Sequence, residues 1–203
     1  MEKPVVTVDL DGVVFDFVRP MIVRVNNTYN TSYTFEDAAH YNLAAAFHLP
    51  QEEIDILVEQ VVFEDSLPFV HGAVEGLEKL AGDYSPVYVT SRRYTWKDPT
   101  EKALSRLPAL CKGQLCFTSK EGFPLDGYKG SILLQLGSKL HLEDGLHFAR
   151  EVAEKGIPVI LFDQPWNQRH RPYFNVHRVG CYREQKYWDG VPALAQRLLF
   201  KQS

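Results

Sequence analysis

Several things are scarce in this sequence, and each shortage narrows what the chain can be. Basic residues are not in excess: 22 lysines and arginines stand against 26 acidic residues, for a formal net charge of −4. A polymeric nucleic acid requires a basic face, so none is expected as a partner, although a few cations can still bind a small anion locally. No apolar run is long enough to span a bilayer. The opening MEKPVVTVDLDG lacks both the basic and the long apolar region of a signal peptide, so no membrane association and a cytoplasmic location are expected. Cys111, Cys116 and Cys181 are an odd set without a C-x-x-C pair, which reads as reduced thiols and not as bridges or metal ligands.

What is present is a globular composition. With 45% apolar and 12% aromatic residues, 203 residues suffice for one domain carrying a modest insertion. Strand patterns at Val5–Leu10, Pro86–Thr90, Leu115–Thr118, Leu140–Glu143, Val159–Phe162 and Val176–Val179 are apolar on both faces or nearly so. Amphipathic helical patterns alternate with them at Val74–Ala81, Pro99–Leu107, Gly130–Leu136, Leu146–Lys155 and Val191–Leu199. The alternation predicts an α/β fold with a doubly wound parallel sheet.

One interval breaks the rhythm. Residues 15–67 carry helical pattern only, which is too long for a simple crossover and predicts an inserted helical subdomain. The core would then comprise residues 1–14 and 68–203. Within the insertion, Thr34 and Asp37 read as a capping box opening a helix through Phe47. Pro50 reads as the first residue of another helix, with Ile54, Leu57, Val58, Val61 and Val62 on one face.

The chemistry-bearing residues fall at strand ends. Asp9 and Asp11 lie one residue apart where the first strand stops, the expected place for a ligand in an open α/β sheet. Two carboxylates so close repel unless a cation offsets them, and Mg²⁺ favours one or two carboxylates with water and phosphate oxygens. The second strand ends in Thr90-Ser91-Arg92-Arg93, hydroxyls and guanidinium groups that complement phosphate. Lys129 opens a helix, and the next strand ends in the acidic pair Glu143-Asp144. Each feature alone is compatible with a polar turn; four in order at successive strand ends are not.

These residues resemble the four ordered motifs of the haloacid-dehalogenase (HAD) superfamily: D-x-D, Ser/Thr, Lys and an acidic pair. An insertion after the first motif is similar to that superfamily's C1-type cap. Asp9-Leu10-Asp11-Gly12-Val13-Val14-Phe15-Asp16-Phe17 looks most like the 5'(3')-deoxyribonucleotidase group, as do Leu67-Pro68 before Gly72-Ala73-Val74-Glu75-Gly76-Leu77 and the late Leu161-Phe162-Asp163-Gln164-Pro165-Trp166-Asn167.

The resemblance implies a Mg²⁺-dependent phosphomonoester hydrolase working through an aspartyl-phosphate. Asp9 would be the nucleophile and Asp11 the general acid and base. Mg²⁺ would be held by Asp9, the backbone carbonyl of Asp11 and Asp144, with Glu143 behind them. Thr90, Ser91 and Lys129 would bind phosphate. Members of the group often carry the lysine closer to the acidic pair, and Lys120 competes for its role, although Lys129 has the spacing of one helix and one strand. Tyr41, Phe47, Phe63 and Arg92 are candidates for contact with the rest of the substrate, and Trp166 and Asn167 for lining the pocket. A small phosphorylated substrate is expected, a nucleoside monophosphate first, with sugar phosphates or other metabolites as the alternative and a homodimer left open. A catalytically retired binding module is the alternative of a different class; the intact Asp9, Asp11, Lys129 and Asp144 speak against it.

Overall fold

The computed structural model describes residues 2–64, 67–120, 123–124, 129–168, 173–184 and 186–200, with backbone alone for 119–120 and 123–124. In chain order the elements are β1 (Val5–Val8), α1 (Val18–Tyr29), α2 (Leu43–Phe47), α3 (Gln51–Val62), α4 (Ala73–Asp83), β2 (Ser85–Thr90), α5 (Lys97–Ser105) and β3 (Gln114–Phe117). There follow a two-stranded hairpin, β4 (Ser119–Lys120) and β5 (Phe123–Pro124), then α6 (Lys129–Gln135), β6 (Leu140–Glu143), α7 (Leu146–Glu154), β7 (Val159–Phe162), β8 (Val176–Val179) and α8 (Val191–Phe200).

Six strands form one parallel sheet in the order β3-β2-β1-β6-β7-β8. From β1 the chain builds outward through β2 to β3, then returns to lay β6 against the other side of β1. That reversal opens a crevice at the carboxyl ends of β1 and β6, where open sheets bind ligands. Alternation along β7 sends Ile160 and Phe162 into one apolar cluster with Leu77 and Ala195, and Val159 and Leu161 into another with Leu133 and Val152. Thus α4 and α8 cover one face of the sheet and α6 and α7 the other, each fully buried aliphatic side chain contributing about 1.5–3 kcal/mol.

Between β1 and α4 the described residues form helices and no named strand. The chain leaves the core at Phe15-Asp16 and returns beside itself at Pro68-Phe69. Asp16 N donates to Pro68 O at 2.8 Å, Val70 N donates to Val14 O at 2.9 Å, and the Phe15 and Phe69 rings stack at 5.3 Å. Val18, Met21, Ile22 and Val25 line the buried stripe of α1, which packs on Ile54, Leu57 and Val61 of α3.

Two expectations in this segment are corrected. Thr34 does pair with Asp37, its N and Oγ1 both 2.7 Å from Asp37 Oδ2, but the contact closes a turn. Helix begins only at Leu43, where the Asn42 side chain accepts from Ala45 N at 3.1 Å and so supplies the real cap. Pro50 sits just before α3, with ψ of 146° in place of a helical value.

Candidate active site

The site starts from the turn that ends β1. Asp9 N donates to Leu142 O at 2.9 Å, prolonging the β1–β6 pairing, and the chain then folds back as Val14 N and Phe15 N both donate to Leu10 O at 2.8 Å. Gly12 takes a φ of +77°, and a Cβ there would lie 2.0 Å from Asp144 Oδ2. Both the left-handed backbone and the close approach require glycine. The Asp9 turn and the Asp144 carboxylate are therefore packed against each other.

Lys129, the first residue of α6, reaches into this junction. Its Nζ donates to Asp9 Oδ1 and to Glu143 Oε2, each at 2.6 Å, and its side chain is 1% exposed. Burial alone would weaken its proton affinity, but the two carboxylates hold the ammonium charged and push its pKa above the ordinary lysine value. Glu143 is the better-served carboxylate. It accepts from Lys129 and from His141 Nε2 on Oε2, and from the backbone N–H groups of Asp144 and Gly145 on Oε1 at 3.0 and 2.9 Å. Against its burial, Lys129 and His141 hold it well below the usual carboxylate range.

Asp9 and Asp144 are poorer in donors. Burial raises the Asp9 carboxyl to about 7 against the pull of Lys129, with Glu143 adding to the rise. Burial, then the charges of Glu143 and Asp9, push Asp144 well above its ordinary value. Among the described residues no hydrogen bond reaches the Asp144 carboxylate. Asp9, Glu143 and Asp144 offer oxygens that all lie within 4.8 Å of one another. Fully ionised, the three buried carboxylates exceed the one buried ammonium by two charges, which protons on Asp9 and Asp144 or a cation in the pocket must offset. An all-oxygen donor set with that excess charge fits a hard divalent cation such as Mg²⁺.

The other expected residues divide. Thr90 ends β2, and its Oγ1 accepts from Arg92 N at 3.2 Å; Ser91 Oγ is 3.1 Å from Thr118 Oγ1. Both line a cavity of about 230 Å³ with Asp9, Asp11, Arg92 and Asp144. Tyr41 lines it too, its ring set edge-on to His147 at 4.5 Å and over Gly145. Phe47 does not reach the cavity: it is buried in the core against Tyr33, 5.2 Å between centroids. Phe63 follows the end of α3 and faces solvent outside that cavity. The aromatic wall consists instead of Phe17, Tyr41, Trp96 and Trp166, with Leu43 and Val58. Arg92 pairs with Asp11 by two hydrogen bonds. The Lys120 side chain lies outside the described residues.

Residues 3–194 match the family described as 5' nucleotidase, deoxy (pyrimidine), cytosolic type C protein. The chain belongs to this family. YqfW of Bacillus subtilis, provisionally named a nucleotidase, is 26% identical over 192 residues, 89% of this chain and 91% of that one. Nucleotidase CA_C3379 of Clostridium acetobutylicum is 25% identical over 210 residues, covering 99% of this chain and 98% of its own length. YfnB of B. subtilis, provisionally described as a HAD hydrolase and solved with bound magnesium, shares the fold: TM-score 0.62 and 15% identity over 98% of this chain and 99% of that chain. Family and fold bear out the motif resemblance, and the chain is a HAD phosphatase of the nucleotidase type.

The late segment that carried part of the resemblance shapes this nucleotidase-family site by bracing it: Trp166 lines the cavity as expected, whereas Asn167 is buried behind it. Gln164, after β7, donates from Nε2 to Gly12 O at 3.0 Å and is itself held by Tyr187 Oη at 3.1 Å. Asn167 Nδ2 donates to Asp144 O at 2.9 Å and Phe162 O at 2.7 Å, and Trp166 Nε1 donates to Asp144 O at 3.2 Å. One loop thus braces both the first motif and the fourth. Behind Glu143, His141 Nε2 lies 3.1 Å from the Glu143 carboxylate, while Nδ1 lies 3.0 Å from Thr7 Oγ1 and 3.2 Å from Thr7 O; burial lowers its pKa. The signal available for His141 was its spacing, two residues from Glu143 on one strand and so on the same face.

Proposed function

We propose that this chain is a Mg²⁺-dependent phosphomonoesterase of nucleoside monophosphates, with Asp9 as nucleophile and the helical segment 15–67 as a cap over the leaving group. The observation that carries the reading is Lys129 bridging Asp9 and Glu143 in a buried acidic cluster at the sheet's reversal point.

Asp9 would attack phosphorus through a carboxylate oxygen, forming an acyl phosphate as the bond to the leaving oxygen breaks. Asp11 would give that oxygen its proton, then take one from the water that attacks phosphorus and returns Asp9 as carboxylate. Lys129, Thr90 and Ser91 would hold the transferring phosphoryl oxygens, with Glu143 fixing the lysine. Mg²⁺, held by Asp9, the Asp11 carbonyl and Asp144, would neutralise charge on the phosphate.

The substrate assignment draws on the wall facing these groups. Phe17, Tyr41, Trp96 and Trp166, with Leu43 and Val58, offer faces for a flat apolar ring and few hydrogen-bonding groups for a sugar. The test is phosphate release from dUMP, dTMP and UMP against glucose 6-phosphate and ribose 5-phosphate, with Mg²⁺ and with EDTA. Nucleotides are expected to lead in kcat/KM by about tenfold or more, matching one stacking contact. A sugar phosphate ahead by that margin overturns the nucleotide assignment, and undiminished activity in EDTA overturns the metal.

A further inference from the structure

Arg92 stands two residues beyond Thr90, where a contact with substrate is expected, yet its guanidinium is already committed. Nε donates to Asp11 Oδ2 at 2.8 Å and Nη2 donates to Asp11 Oδ1 at 2.6 Å, the two-pronged match of guanidinium to carboxylate. Nη1 donates to Thr100 Oγ1 at 3.2 Å, and that hydroxyl donates to Trp96 O at 2.7 Å, one turn back at the start of α5. The Arg92 side chain is 3% exposed, while that of Asp11 is 30% exposed. A buried guanidinium with its fork closed on a carboxylate separates from it only at a cost of several kcal/mol. Asp11, by contrast, keeps lone pairs and open surface toward the cavity.

We propose that Arg92 is a positioning residue: it fixes the Asp11 carboxylate for proton transfer to the leaving oxygen and does not bind the phosphoryl group. The proposal rests on the role given to Asp11 above. An aspartate in a turn explores several rotamers; the fork selects one, and Thr100 selects the orientation of the fork. When the phosphorus–oxygen bond breaks, its electron pair stays on the leaving oxygen, which takes the proton that Asp11 brings to this step as the carboxylic acid, leaving Asp11 as the carboxylate on which the fork closes. An alkoxide needs that proton, whereas a stabilised aryloxide departs without it.

Leaving-group dependence therefore separates positioning of Asp11 from phosphate binding. The comparison is kcat/KM for dUMP, an alkyl ester, and for p-nitrophenyl phosphate, an activated aryl ester. This parameter ends at phosphoryl transfer, so slow hydrolysis of the acyl phosphate does not mask it. Arg92→Ala should lose about a hundredfold or more on dUMP, the usual worth of general acid catalysis, and only a few-fold on the aryl ester. Added guanidinium should restore part of the dUMP activity alone. Thr100→Val keeps the buried charge and the shape, so it should fold like the parent and show the same bias at smaller size. Equal losses on both esters, or a gain on either, with an active parent overturn the Arg92 proposal alone. A parent that releases phosphate from neither ester overturns the phosphatase reading beneath it.

Discussion

Lys129 Nζ lies 2.6 Å from Asp9 Oδ1, with the lysine side chain 1% exposed and the aspartate, at the cavity, 10%. The nucleophile candidate and the cation that would steady its substrate thus meet before any ligand arrives. Such a pair is costly to break, because the surviving partner is left charged at a largely buried position.

Lys129→Met should therefore fail twice. Turnover should fall by roughly a thousandfold or more, as loss of a preorganised charge at the reacting centre does. Stability should also drop, by about 3–5 kcal/mol, because Asp9 and Glu143 lose their shared cation. Kinetics and thermal melting read the two effects separately. Near-normal turnover in this variant, with loss in Lys120→Met, would reassign the lysine.

Asp9→Asn removes the proposed nucleophile and one buried ionisable carboxyl while keeping shape. Turnover should vanish within detection, and melting without metal should stay within a few degrees of the parent. Phosphate release comparable to the parent would eliminate Asp9 as the attacking group.

Metal and pH should be linked. The Asp9 carboxyl, raised to about 7 by burial, binds its proton more tightly folded than unfolded, and Asp144 shifts in the same direction. Between the unfolded value of about 4 and about 7, the metal-free protein loses stability as pH rises. Glu143, shifted downward by Lys129 and His141, contributes fully above about pH 4.5 and adds no slope in that window. A divalent cation displaces the protons, so the melting-temperature gain from excess Mg²⁺ over EDTA should be larger near pH 8 than near pH 5. A gain that shrinks with rising pH would contradict the assignment of Asp9 and Asp144 as ligands.

The cavity wall makes its own forecast. Trp96→Ala should raise KM for dUMP by about tenfold, the scale of one lost ring contact. Phe63→Ala, at an exposed position outside the cavity, should leave kinetics unchanged. Equal responses of the two variants would mean that Trp96 is not a substrate contact.

Much of the frame was legible because its signals are local. β6, β7 and β8 run as read: β7 is a wholly apolar run buried on both faces, while β6 and the half-exposed β8 place apolar residues at alternate or terminal positions. The charged motifs were legible because a fixed order of residues at strand ends suffices to mark them. What escaped depends on distance in space. The fork on Asp11 joins residues 81 apart, and the bond from Gln164 to Gly12 spans 152. Phe47 shares its helix face with core residues, so periodicity could not distinguish a ring in the core from a ring in the cavity. The bond from Thr34 N to the Asp37 carboxylate is common to a turn and a capping box, but here Thr34 Oγ1 donates to that carboxylate and Asp37 N goes to Thr34 O, which sequence alone does not reveal.

The braces that Gln164, Asn167 and His141 supply all arise from the sheet and its loops. None is drawn from residues 15–67, whose share of the cavity is wall: Phe17, Val18, Leu43, Val58 and their neighbours. Trp96 and Trp166 complete that wall from outside the segment, so the proposed chemistry sits on the sheet and its loops while the proposed selection is shared by both stretches. A lineage could exchange the helices between Phe15 and Phe69, joined to the core by one pair of adjacent crossings, and inherit an untouched reaction centre for a different leaving group.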